Sequence, residues 1–439
     1  MSLPHILAID IGSNKVCALV AQIGADKTPR IIGSGLARSQ GLKKGAIVDI
    51  NKASEAIKAV VNDACQSAGI APQRAIVSVS GAYAASLQGV GKANIPTKEI
   101  EPKDINRVMR LALDSAAMPP PDYEILHVLP FSFKVDDQPN IQDPIGMSGS
   151  RLETQVNIVI TQKMALDNLR KAIAAAGIEI ENLTLSSYAA AIAVLGDDEK
   201  ELGACVIDIG ASTCNLAIYQ GNAPRHCDFF AVGGAHITSD LSISLHTPIN
   251  AAERIKLEYG ALKRGGNAAI EIPEIGSERS TRNASLETIS NVIGARMEET
   301  LMILSGLLGK SRLKNGAGAG VVITGGAAKL DGIAESAEPI FGNIPVRIAR
   351  PKPIAGLSET FRDPAFAVAI GLVRYGAGEF TPYEIDSANN IRIKSGAQKT
   401  PPVEEAAPRE AEEPRINLSK ELEEPSAFKR FWNWLSQIF

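Results

Sequence analysis

Two short segments far apart in the chain carry the same arrangement of a carboxylate, a glycine and hydroxyl groups. Ile6-Leu7-Ala8-Ile9-Asp10 passes through Ile11-Gly12-Ser13-Asn14-Lys15 into the apolar run Val16 to Val20. Cys205-Val206-Ile207-Asp208 passes through Ile209-Gly210-Ala211-Ser212-Thr213 into Leu216 to Tyr219. Each pattern predicts a strand, a turn and a second strand, with a carboxylate closing the first strand. The glycine that follows lets backbone N–H groups approach an anion with no Cβ in the way. The chemistry this suits is phosphate binding: Ser13, Lys15, Ser212 and Thr213 are placed to donate to phosphate oxygens. Asp10 and Asp208 are placed to flank a shared metal, and Mg2+ prefers few carboxylates together with phosphate oxygens and water. One such turn alone reads equally well as a hairpin closed by an Asx-type turn. The matched pair argues for a site.

Two further glycine turns follow apolar strands, Val232-Gly233-Gly234-Ala235 and Ile323-Thr324-Gly325-Gly326-Ala327. Glu253 and Lys256 lie three apart on one face of a helix pattern, a spacing that by itself describes a surface ion pair. Taken together, these elements predict a nucleotide pocket assembled from two halves. A repeat at so long a period argues for two homologous domains facing each other, not for a solenoid.

The elements that must hold these residues alternate between strands and helices. Helix patterns run from Asn51 to Ala68 and from Lys163 to Ala176, each stopped by a glycine, Gly69 and Gly177. Others cover His236 to Leu245, Asn250 to Tyr259 and Leu286 to Leu308, with a polar, Gly-rich section before the last. Ala75 to Val79 and Val156 to Ile160 read as strands. Residues 84–160 read differently, with Pro119-Pro120-Pro121, the strand-like Ile125 to Val135 and a polar loop at Asp143 to Met147. They are expected to form an inserted subdomain.

Hydrophobic residues make up 45% of the 439-residue chain and charged residues 21%, the balance of a globular protein. A formal charge of −4 gives no general attraction to nucleic acid, and none is expected as a partner. Cys17, Cys65, Cys205, Cys214 and Cys227 form no CxxC pair, which argues against a disulfide framework or a zinc site and for a reducing cytoplasm. No signal-peptide pattern and no long apolar run occur, so the chain is expected to be neither exported nor membrane-spanning.

From about Gly378 the composition shifts to Pro, Glu, Ala and Ser, which predicts a disordered acidic tether. A linker over 378–425 would have a root-mean-square reach of about 35–40 Å. Beyond it, Phe428, Phe431, Trp432, Trp434, Leu435, Ile438 and Phe439 share an arc of about 160° on a helical wheel. Lys429, Arg430, Asn433, Ser436 and Gln437 fill the other side, and Ser426 is placed to cap the helix. Such a helix commonly docks on a protein's own core. The long tether, the paired tryptophans and the adjacent Lys429-Arg430 instead predict docking on an anionic membrane surface. Burying seven large apolar side chains is worth at most about 10–20 kcal/mol. Ordering the helix costs on the order of 1–2 kcal/mol per residue, so a single copy should bind weakly.

The order of phosphate loop, connecting helix, second phosphate loop, glycine turn and connecting helix resembles the actin, Hsp70 and sugar-kinase ATPase superfamily over residues 6–377. Ser186 to Leu195 and Asp363 to Gly376 are similar to its connecting helices. Within it the chain resembles the FtsA family of bacterial cell-division proteins. The residues that carry this are His127-Val128-Leu129-Pro130, Val135-Asp136, Asp143 to Met147 and Gly149 to Glu153, together with Gly233-Gly234 through Ile237-Thr238, Ala252 to Lys256 and Tyr259-Gly260.

The resemblance implies an α/β, actin-like two-lobed ATPase fold with an inserted subdomain, a disordered tether and a C-terminal amphipathic helix. It implies lobe I at 1–83 and 161–202, the insertion at 84–160, and lobe II at 203–247 and 318–377 with a small partner-binding subdomain at 248–317. The linker is then 378–425 and the membrane helix 426–439. It also implies ATP with Mg2+, self-association into actin-like filaments, and recruitment of the tubulin-like protein FtsZ to the cytoplasmic face of the inner membrane at the division site. Other division proteins would use 84–160. By the resemblance, Glu253 and Lys256 fall on the ribose side and Gly325, Gly326 and Ala327 on the adenine side.

Hydrolysis needs a base or orienting amide near the attacking water. Ser186 to Leu195 offers no Asp, Glu or Gln, which predicts slow or absent turnover with ATP as a structural ligand. The alternatives are a sugar-kinase-type enzyme, which lacks a convincing catalytic carboxylate here, and an actin-like pilus-assembly protein, which would not be expected to carry the terminal helix. An Hsp70-like chaperone would need a substrate domain for which the tail is too short.

Overall fold

The computed structural model describes residues 4–82, 84–263, 268–276, 280–311 and 313–394. The linker from residue 395 and the expected membrane helix, with Phe428, Lys429, Arg430, Phe431, Trp432, Trp434, Leu435, Ile438 and Phe439, lie outside the described residues.

The chain opens with the expected hairpin, β1 (His5–Ile11) and β2 (Lys15–Ile23), followed by β3 (Pro29–Arg38) and the two-residue strands β4 (Leu42–Lys43) and β5 (Ala46–Ile47). Helix α1 (Ile50–Ala68) starts on Asp49, whose side chain accepts from Lys52 N at 3.1 Å, and stops at Gly69 in the left-handed region. Ala53, Ile57, Val60 and Ala64, spaced three or four apart, form its buried stripe. Strand β6 (Arg74–Val79) returns the chain to the sheet.

The insertion holds β7 (Ala84–Asn94), α2 (Pro102–Ser115), β8 (Tyr123–Val135), β9 (Gln138–Ile141) and β10 (Arg151–Gln162). Then come α3 (Lys163–Ala175), β11 (Glu179–Leu185), α4 (Ser186–Val194) and α5 (Asp197–Leu202). The second half begins with β12 (Ala204–Ile209), β13 (Cys214–Gln220) and β14 (Ala223–Phe230). It continues through α6 (Gly234–Ser244), α7 (Ile249–Tyr259), β15 (Ala269–Pro273), β16 (Thr281–Ser285) and α8 (Leu286–Lys310). Strand β17 (Val321–Thr324), α9 (Ile333–Ile340), β18 (Val346–Ile348), α10 (Ala367–Gly376), β19 (Tyr383–Ile385) and β20 (Ile391–Ile393) complete it.

The repeat seen in the sequence is a repeat of topology. The first sheet has the order β3-β2-β1-β6-β11 and the second β14-β13-β12-β17-β18. In both, an antiparallel hairpin and its third strand are extended by two parallel strands. The register matches too: Asp10 stands opposite Cys17, and Asp208 opposite Asn215. Each sheet is buried on both faces, so its central strands read as continuous apolar runs.

Helices α4 and α10 cross between the halves. Their small residues, among them Ala189, Ala193, Ala369 and Gly371, are fully or nearly fully buried.

One expectation is corrected. Residues 378–394 are not part of a disordered linker: β19 and β20 pair with each other, and β19 joins β8 of the insertion through Ile385 and Val128. The inserted sheet therefore has the order β20-β19-β8-β10-β7, with β9 on β8. Three-residue strands carry almost no periodic signal, and Glu384 and Asp386 read as solvated although both are buried. The polar section before Ser285 likewise contains the hairpin β15–β16, whose second strand, Thr281–Ser285, has only Ala284 as an apolar residue and so shows no alternation.

Candidate functional site

Both hairpin turns open on one cleft of about 870 Å³. Asp10, Gly12, Ser13 and Lys15 line it from the first half, and Asp208, Gly210 and Thr213 from the second. A Cβ on Gly12 would lie 3.0 Å from Lys15 O, and one on Gly210 would lie 3.0 Å from Thr213 O. The two turns are closed in the same way, by Gly12 N on Lys15 O at 3.0 Å and Gly210 N on Thr213 O at 2.9 Å.

The two carboxylates are held differently. Asp10 accepts from Ser78 Oγ at 2.9 Å, and that hydroxyl accepts from Ile11 N at 2.9 Å. Asp208 is 3.4 Å from Asn215 Nδ2. Burial pushes the Asp10 carboxyl up, with Lys15 and Ser78 opposing. Burial and then the charge of Asp10 push Asp208 up to about 6. Two desolvated carboxyls on one cleft, the second disfavoured by the charge of the first, suit binding of a divalent cation. Lys15 donates to the Ala365 carbonyl and stands 4.2 Å from the centre of the Phe366 ring.

The far wall comes from α6 and α7. Lys256 Nζ lies 2.7 Å from Glu253 Oε2, 2.8 Å from Thr238 Oγ1 and 3.0 Å from Gly234 O. Thr238 also donates to Glu253. The spacing of Glu253 and Lys256 is thus a network reaching the glycine turn, not an isolated surface pair. Gly234, Gly326 and Ala327 line the cleft with them.

Three expected residues are not among the lining groups: Ser212, Gly233 and Gly325. Gly233 supports the second turn from behind, where a Cβ would come within 2.5 Å of Gly210 O, while Gly234 N and Ala235 N donate to Gly210 O and Ala211 O. Gly325, at φ +91°, sits so near Asp208 that a Cβ would collide with its carboxylate. The sequence signals no site role for Ser78, Asn215 or Thr238, nor for the wall built by Arg350, Thr360 and Phe366. That last wall comes from turns with no motif. Helix α4 presents Ser186 to the cleft, its hydroxyl donating to Val79 O at 2.9 Å.

Cell division protein FtsA of Helicobacter pylori is 38% identical over 92% of this chain and 88% of its own length. The chain belongs to the FtsA family of cell-division proteins. The FtsA of Pseudomonas aeruginosa is 34% identical over 91% of this chain and 95% of its own length. Residues 205–371 match the family Cell division protein FtsA, and residues 81–160 match the SHS2 domain inserted in FTSA. Among solved structures, the PilM-PilN type IV pilus biogenesis complex aligns with a TM-score of 0.59 at 18% identity, covering 85% of this chain and 98% of the other. MreB5 of Spiroplasma citri bound to ADP aligns at 0.52 with 15% identity, covering 85% and 96%. These likenesses show the actin-like fold that FtsA shares with them. Among the described residues, no helix is long and apolar enough to cross a membrane.

Proposed function

We propose that this member of the FtsA family binds ATP with Mg2+ in the cleft, assembles with itself into actin-like filaments, and tethers FtsZ to the cytoplasmic face of the inner membrane at the division site. The observation that carries the nucleotide reading is the matched pair of hairpins, which brings Asp10 and Gly12 to the same cleft as Asp208 and Gly210. That the actin-like neighbour from Spiroplasma citri is bound to ADP supports it.

In this reading Asp10 and Asp208 hold the cation, which neutralises phosphate charge. Ser13, Lys15, Thr213 and the loop amides hold the phosphates. Glu253 and Lys256 face the ribose, and Gly326 and Ala327 the base. Ser212, Gly233 and Gly325 act through the shape of the turns. With only Ser186 offered from α4, ATP serves mainly to close the two halves, and turnover is slow or absent. Residues 248–317 take FtsZ, and the inserted subdomain takes other division proteins.

The membrane part of the proposal rests on the amphipathic pattern of residues 428–439. One tail binds weakly, and a filament that gathers many tails binds firmly through their effective concentration. The test has two arms. ATP with Mg2+ should raise the melting temperature of the full chain. Liposome co-sedimentation should compare the full chain with one ending at Pro425, and equal sedimentation of both would remove the tail from the mechanism.

A further inference from the structure

Glu384 is a carboxylate with 0% of its surface exposed, and it lies where three distant parts of the chain meet. Its Oε2 accepts from the Tyr188 hydroxyl at 3.2 Å, its Oε1 accepts from the Tyr375 hydroxyl, and Arg392 Nη1 is 3.1 Å away. Tyr188 belongs to α4, Tyr375 to α10, and Glu384 and Arg392 to the β19–β20 hairpin. Thr381 N, just before the hairpin, donates to the Tyr188 hydroxyl at 2.9 Å.

Both helices also reach the cleft. Ser186 at the start of α4 and Val368 at the start of α10 both line the cleft. The helices cross at Gly371 and Ala189; Tyr188 stands beside the crossing on α4, Tyr375 about one turn beyond it on α10, and both phenols end on one carboxylate. A change in how the helices cross must therefore move the two hydroxyls relative to each other at Glu384.

From Glu384 the contacts lead to the insertion. Ile385 pairs with Val128 of β8. The neighbouring His127 accepts from Leu185 N at 3.2 Å and packs edge-on against the rings of Tyr188 and Tyr375, at 5.3 and 6.4 Å between centroids. Asn182 Nδ2 donates to Asp386 at 2.8 Å and Leu183 N to Ser387 Oγ at 2.8 Å, which fixes the hairpin to β11. The chain then runs from Lys394 into the C-terminal segment.

Apolar packing would fill this space with less desolvation cost. A buried carboxylate that gathers two phenols and a guanidinium adds a defined geometry, satisfied in one arrangement of the helices. We infer that the Glu384 cluster is a coupling joint, which passes the relative position of α4 and α10 to the inserted sheet and to the root of the C-terminal segment. The inference rests on the nucleotide reading of the cleft, since ATP is what would shift the helices. Its physical content is that ATP and the hairpin bias the same pair of packed helices.

Hydrogen exchange of the full chain with and without ATP and Mg2+ tests it. ATP should slow exchange at Gly12 and Gly210, and also at 123–135 and 383–393. In the Tyr188→Phe, Tyr375→Phe double variant, slowing at the two remote segments should shrink at least about fivefold. Slowing at Gly12 and Gly210 should persist, because the rings and the cleft are kept. If the double variant does not fold, Tyr375→Phe alone should shrink the remote response in the same direction. A remote response unchanged in the variants, or absent in the parent while the glycines respond, overturns the joint and spares the nucleotide reading. No response even at Gly12 and Gly210 overturns both.

Discussion

Gly371 and Ala189 meet backbone to backbone: a Cβ on Gly371 would fall inside the Ala189 carbonyl group. The obstacle is main chain, so no side-chain rotation can make room. Gly371→Ala must push α10 away from α4, at a cost near the top of the usual range of about 1–3 kcal/mol for overpacking. Denaturant unfolding should show this loss together with a weaker stabilising effect of ATP. A variant as stable as the parent would mean that the helices can separate freely.

Lys256→Ala removes the charge that joins Glu253, Thr238 and Gly234. Charge-assisted bonds of this kind are worth about 1.5–3 kcal/mol, so ATP affinity should fall roughly ten- to hundredfold. Calorimetric titration measures it directly. Unchanged affinity would return the pair to a purely structural role.

The parts of this arrangement that the sequence displays are those with local signals. The two hairpins are readable because a carboxylate and a glycine punctuate two runs of buried residues, and α1 because Asp49 and Gly69 mark its ends. The parts it hides depend on distant partners. Glu384 is an ordinary charged residue until Tyr188 and Tyr375 close over it, and Ser78 and Thr238 acquire a role only by facing Asp10 and Glu253. Ser212 shows the converse, since its spacing from Asp208 suggests a phosphate contact but the turn brings Thr213 to the cleft instead.

Glu384 and His127 should give opposite pH slopes. Burial pushes the Glu384 carboxyl from the ordinary 4.5 up to about 7, with Arg392 pulling it down, and burial holds His127 from 6.5 down to about 3, with Arg392 adding. Tyr188 on α4, Tyr375 on α10, Asp386 in the turn just after β19 and Arg392 on β20 complete the surroundings. Between pH 4.5 and 6.5 the folded chain holds a proton on Glu384 that the unfolded chain lacks, which favours folding more as pH falls. Over the same window the unfolded chain holds a proton on His127 that the folded chain lacks, which favours folding less. Each slope is about 1.4 kcal/mol per pH unit. Glu384→Gln removes the first alone, so the variant should lose stability relative to the parent as pH falls through this window. Urea unfolding at a series of pH values checks it, and a flat difference would show an ordinary carboxyl.

Trp432→Glu puts a charge into the apolar arc that the sequence pattern of residues 428–439 would form as a helix. It should release the protein from liposomes containing anionic lipid while leaving ATP-induced thermal stabilisation within error of the parent. Retention on the liposomes would mean that another surface makes the contact.

The pairing of Ile385 with Val128 has a consequence for how the molecule is made. The inserted sheet is begun early in synthesis and finished by some of the last described residues to leave the ribosome. Until they arrive, the β8 edge that β19 will cover has unpaired backbone groups, the kind of edge that invites pairing with another chain. The same edge would be bare in a fragment cut out as residues 84–160. The insertion matures last, and its completion certifies that the rest of the body has been translated.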